Sequence, residues 1–252
     1  MASPTMPTQQ APAPVNSFGR LFGVFFEPKA TFESIVQRPT WVLPMLALIL
    51  ISIVIVALIG SRVGWRQVME RQIANSPRAQ QRMEQIPPDQ REQMMARQAK
   101  FAGVVAYVAV VAGTAIAEVV VAALLLAVFN IVSGSKIGFS TSLGIVAHSW
   151  MPYVITGLLG ILILFIKDPS TIDTQNLVAS NPGALLPDGS AKWLVSLLTS
   201  LDLFTFWVLA LQGIGYSVTN PKKISFGKAF SYILVVWLFF VLVKVGLAAA
   251  FA

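Results

Sequence analysis

Residues 193–218 read WLVSLLTSLDLFTFWVLALQGIGYSV, an apolar run interrupted by one carboxylate, Asp202. A hydrocarbon core about 30 Å thick takes about 20 apolar residues at 1.5 Å per residue, and this run is longer than that. A carboxylate at bilayer depth costs roughly 3 kcal/mol on insertion scales, so Asp202 is expected to face a partner or a water-filled cavity. The other apolar stretches then form the walls around it.

Working outward, those stretches are 42–60, 101–132, 142–166 and 229–252. With 193–218 they take up about half of the 252 residues. The chain is 56% hydrophobic and only 12% charged, against roughly 25% charged in an average soluble domain. Too little polar sequence remains for a separate soluble domain. The expected fold is an all-α membrane protein: a bundle of five transmembrane helices with an N-terminal interfacial amphipathic segment, forming a single five-span domain over 17–252.

Ahead of the first span, residues 1–16, MASPTMPTQQAPAPVN, are rich in Pro and Ala and uncharged, and are expected to be a disordered tail. They lack the basic n-region of a signal peptide. From Phe18 the character changes. Phe18, Leu21, Phe22, Phe25 and Phe26 recur at helical spacing, Pro28 opens a second short helix, and Phe32, Ile35 and Val36 give it an apolar face. Either the pair lies on the membrane surface or its face packs against the bundle; the pattern serves both. Trp41 and Trp65 bracket the first span, about 36 Å apart as helix, as aromatic belts at the two interfaces would.

Residues 61–100 form the one large polar loop, with eight Arg/Lys against four acids and breaks at Pro77 and at Pro87-Pro88. After Pro88 come strong helix formers and no Pro until well past the second apolar run, which predicts one continuous helix from about Pro88 to Val132. Such a helix is near 67 Å long, so a third or more of it projects beyond the bilayer. Gly103, Gly113 and Ala117 on it allow close helix contact.

Four ionisable residues fall inside apolar spans: Glu118 near the midplane of span two, His148 in span three, Asp202 in span four and Lys244 in span five. Counted from the span ends on the same side, Asp202 and Lys244 lie level, at roughly 12–14 Å depth. Spans four and five are joined by a short basic turn, so the two are expected to form an ion pair.

The net charge of +7 points to an anionic membrane surface, and no nucleic-acid-binding pattern accompanies it. With no Cys, disulfides, thiolate metal sites and Cys nucleophiles are excluded. No H-E-x-x-H, G-x-S-x-G or P-loop is present, so no enzyme, no catalytic residue, no metal and no cofactor are expected. A small-solute or ion/proton transporter using Glu118, Asp202 and Lys244 is the main rival to a non-catalytic scaffold. The chain shows no internal repeat and no matching pair of interrupted helices to support it.

Several strings, taken in order, resemble the Yip family of membrane proteins, first described as partners of Rab-type GTPases. They are FFEPKATFESIVQRPTWVLPML at 25–46, AHSWMPYVITGLL at 147–159, LDLFTFWVLALQGIGYS at 201–217 and KAFSYILVVWLFF at 228–240. The Pro- and Gln-rich loop before span two is similar to that of prokaryotic members. The resemblance implies five spans, a cytoplasmic N-terminus, and multi-pass insertion in a prokaryotic inner or cell membrane. It also implies membrane organisation through partner binding without catalysis, the partner being GTPase-like or a second copy of the chain.

Overall fold

The structure, a computed structural model, describes residues 16–250 apart from 188. The tail expected over 1–16 lies outside the described residues except for Asn16. That residue is ordered as the N-cap of the first helix, where its side chain accepts from the Gly19 N–H at 2.6 Å.

Every regular element among the described residues is helical. Two short helices, α1 (Ser17–Phe26) and α2 (Pro28–Gln37), precede the first span, α3 (Val42–Leu58), which runs on as a π-helical turn over Ile59–Val63. Gly64, at φ +86°, ends that turn in a conformation other residues resist. The polar loop then forms α4 (Trp65–Ala74) and α5 (Pro77–Glu84). Next comes α6 (Pro88–Ser133), a single helix of 46 residues and roughly 69 Å. The continuous projecting helix read from the sequence is present. Pro88 sits in its first turn, and Gly134 stops it at φ +59°.

The third span is two helices, α7 (Phe139–Ser149) and α8 (Met151–Ile166), jointed at Trp150 where Pro152 forbids a continuous ladder. The fourth run is not one helix. It splits into α9 (Lys192–Ser200) and α10 (Leu203–Ser217), bent by 48°. The last span is α11 (Phe226–Ala250). Among the described residues four helical spans are long and apolar enough to cross a bilayer, and there are five if the bent pair is counted as one span. The chain is a multi-pass membrane protein.

In the bundle α3 lies against α6 and α8, α7 against α6 and α10, and α11 against α9 and α10. The two readings of the N-terminal segment divide between its helices. α2 belongs to the bundle: Phe32 and Ile35 are fully buried among Phe129, Ile145 and Tyr216. Glycines make the sockets. A Cβ on Gly215 would come within 3.1 Å of the Phe32 ring, and one on Gly144 within 3.1 Å of Ile35. Phe129 and Tyr216 stack at 4.2 Å and close the core beside them.

Candidate functional site

Asp202 does not sit inside a helix; it caps one. Its Oδ1 accepts from the Phe204 and Thr205 N–H groups at 2.9 and 3.1 Å, so it is the N-cap of α10. The short Asp side chain reaches its own downstream amides in an extended conformation, which is why Asp starts helices better than it continues them. Its other oxygen accepts from the Ser180 hydroxyl, and the Ser180 carbonyl accepts from the Leu203 N–H at 3.1 Å.

Ser180 arrives from the loop between α8 and α9, which is folded over the break. Ile172 is buried with Val63, Val68 and Leu164, Leu177 seats against Gly160, and Asn176 and Asn181 exchange amide hydrogen bonds. Arg71 of α4 donates to the carbonyls of Ser170 and Ile172 and holds the loop from the other side. The break therefore lies beneath an ordered cover, and the backbone donors of Leu201, Leu203, Phe204 and Thr205 are occupied.

The expected Asp202–Lys244 ion pair is not formed. Lys244 Nζ donates instead to Ser200 Oγ at 3.1 Å, at the C-terminal end of α9. Among the described residues, the ion pairs are those of Arg66 with Glu70 and Glu92. Lys244 reaches a residue two positions from Asp202, but a broken helix offers each charge its own partner. The carboxylate meets the positive N-terminal end of α10, and the ammonium meets the negative C-terminal end of α9.

Glu118 is fully buried on the inward stripe of α6 with Ala122, Leu125 and Phe129, and neither carboxylate oxygen has a hydrogen-bond partner. His148 is also fully buried. Its Nδ1 lies 2.9 Å from the Gly144 carbonyl, which only accepts, so the proton is on Nδ1; Nε2 is unpartnered. No hydrogen bond joins Glu118, His148, Asp202 and Lys244 to one another among the described residues.

The N-terminal helices carry a group that the sequence reading set aside. Arg20 is 5% exposed, and its guanidinium donates to the carbonyls of Ser34 and Arg38 and to Thr40 Oγ1 at 2.8–3.0 Å. It ties α1 to the last turn of α2 and the entry to α3. Burial first, then the neighbouring Arg38 charge, lowers its affinity for the proton relative to a free Arg. The inward face of α1 is Arg20, Leu21 and Val24, with Phe25 edge-on to Trp207 at 5.5 Å. Phe18, Phe22 and Phe26 are left outside, 65–82% exposed. Trp41 caps the start of α3 and is half-buried against the core. Trp65 lies against Gly60 and Gly103, a packing role between α3 and α6 as much as an interfacial one.

The family model described as the Yip1 domain matches residues 22–247. The chain belongs to the Yip1 domain family. No curated protein and no solved structure matches it. The Yip1 domain as matched runs from within α1 to within α11, so it includes Glu118, His148, Asp202 and Lys244. Arg20 precedes it by two residues, although all three of its acceptors lie inside. Two features of this chain escaped the sequence reading. One is Arg20, visible only as a cation inside an aromatic helix. The other is the Ser180 contact, which no local pattern announces.

Proposed function

We propose that this Yip1 domain protein acts without catalysis, as a scaffold that organises membrane through partner binding, with the α1–α2 end on the cytoplasmic side of a prokaryotic cell membrane. The observation that carries the reading is the Arg20 clasp. A buried cation spends its donors on fastening a helix whose outer face is Phe18, Phe22 and Phe26. A fixed aromatic ridge at the bundle end serves interfacial insertion, since its entropy cost was met in folding. Partners are a GTPase-like protein or a second copy of the chain.

The test is affinity purification from native membranes of the wild type against a Phe18→Ser, Phe22→Ser, Phe26→Ser triple variant. Specific partners or self-association lost in the triple variant support the reading; identical recovery overturns it. Because the chain has no Cys, Lys29→Cys labelled by a membrane-impermeant maleimide reports orientation directly, and labelling from outside intact cells overturns the sidedness.

Transport remains the second reading, favoured by Glu118, whose two unpartnered oxygens are what a proton carrier within the bundle would present. Proton flux into proteoliposomes that Glu118→Gln abolishes would replace the scaffold reading with this one.

A further inference from the structure

A polar hollow of about 220 Å³ opens at the end of the bundle where α2 stops, α6 turns into α7, and α10 turns into α11. Ser135, Lys136, Thr141, Thr219 and Asn220 line it together with Gly138 and apolar side chains, and no carboxylate is among them. We propose that this hollow is a binding site for a phosphate group, that of an anionic phospholipid headgroup being the source its position favours.

Two independent observations carry this. The first is the start of α7. Its N-cap is Gly138, which supplies no side-chain acceptor, so the N–H groups of Phe139, Ser140 and Thr141 have no protein acceptor among the described residues. Free amides at a helix N-terminus, backed by the helix dipole, are a ready site for an anion. The second is Ser135, which lines the hollow, is only 5% exposed, and has an Oγ with no hydrogen-bond partner. Buried hydroxyls are almost always bonded, and this unbonded one belongs to a residue of the hollow's own wall.

The walls are held in place without a ligand. Gly134 and Ser135 N–H groups fold back onto the Phe129 carbonyl, and the Asn130 amide bonds both the N–H and the carbonyl of Ile137. Thr219 Oγ1 donates to the Tyr216 carbonyl at 2.6 Å, so its proton is spent within the wall and it gives the hollow no donor, while Asn220 lines it alongside. Lys136 is exposed at the rim, and Lys222 and Lys223 follow in the α10–α11 turn. Every one of these cations favours a single sign of ligand. The hollow lies where five helices begin or end, and basic pockets between the ends of spans take headgroups.

The experiment uses the full chain, delipidated in detergent and examined by native mass spectrometry. It is titrated in separate arms with phosphatidylglycerol, with phosphatidylcholine and with inorganic phosphate. One phosphatidylglycerol should bind more tightly than phosphatidylcholine. Ser135→Ala and Lys136→Gln should each weaken it about tenfold, the worth of one charge-assisted hydrogen bond. Lys29→Gln, which removes a lysine outside the hollow, should leave it unchanged. Binding that phosphate does not displace assigns the headgroup; displacement by phosphate assigns a soluble phosphate group, and both support the site. Equal affinity for the two lipids with no phosphate bound overturns it. So does a Lys29→Gln variant that weakens binding as much as Lys136→Gln, which would reduce the effect to surface potential.

Discussion

Two apolar runs of this protein carry a carboxylate, and they resolve it in opposite ways. In α6 the helix continues straight through Glu118, which ends buried with both oxygens unpartnered. In the fourth run the helix breaks at Asp202, which ends bonded to two amides and the Ser180 hydroxyl. The chemistry of the side chain decides much of the difference. Asp, one methylene shorter, competes with the helix for its own backbone amides, whereas Glu is a good helix former and leaves the ladder alone. Neighbouring structure decides the rest: a loop folds over Asp202, and only α6's own inward stripe and packed helices surround Glu118.

The contrast breaks most visibly at Asp202. Asp202→Leu removes a cap and a charge-assisted hydrogen bond together, and should cost about 3 kcal/mol. Unfolding in mixed micelles titrated with dodecyl sulfate would measure it. Asp202→Asn, which caps nearly as well, should recover most of that; a loss as large as for Leu would mean that the charge and not the cap matters.

Glu118→Met should move stability the other way, up by about 2 kcal/mol, because an unmade buried polar group is replaced by an apolar one of similar length. A loss of stability in the same titration would reveal a partner for Glu118. Ser180→Ala, which takes one hydrogen bond from Asp202 and leaves its cap, should cost about 1 kcal/mol. Protease cleavage within 173–186 should rise in that variant as the cover loosens, and an unchanged cleavage rate would show that apolar seating alone holds the loop.

The smallest effects belong to exposed charges. Lys244→Met should change stability by no more than about 1 kcal/mol, since it removes a single hydrogen bond to a hydroxyl. A larger loss, rescued in a double variant with Asp202→Asn, would restore the direct pair. The Arg66–Glu92 pair is as exposed. The Arg66 hydrogen bonds and charge hold the Glu92 carboxyl below its ordinary value. Any stability it contributes is therefore present above the unfolded pKa and lost as pH falls through the folded one. Glu92→Gln should flatten acid sensitivity in that window, because it forgoes the small contribution present at neutral pH and converges with the wild type in acid.

Much of this architecture was legible before any coordinates. The 46-residue α6 follows from an absence of breakers after Pro88, and its end from Gly134. Hydropathy alone picked out the apolar helices, because length and apolarity are set by the bilayer and not by neighbours. The break in the fourth run was less legible. Ser-Leu-Asp inside an apolar run reads equally as a helix with a costly residue or as two helices with a cap, and the choice depends on whether something reaches the freed groups. Ser180 does, from 22 residues away in sequence. The aromatic stripe of α1 was rotated for a similar reason. Phe18, Phe22 and Phe26 form as good a face as Leu21, Val24 and Phe25, and Arg20 chooses between them by finding three acceptors that belong to α2 and the entry to α3.

The sequence by itself determined that this chain is a multi-pass, helical membrane protein and where its apolar helices run, because these depend on local propensity and on transfer from water to hydrocarbon. Only the tertiary structure decided where each polar group is spent. Asp202 and Lys244 answer the two ends of a broken helix and not each other. Arg20 fastens a helix, and Glu118 and the buried Ser135 hydroxyl stay without a partner. The physical reason is that a buried polar group is satisfied by whatever donor or acceptor folding brings within about 3 Å, and no spacing in the sequence records that distance.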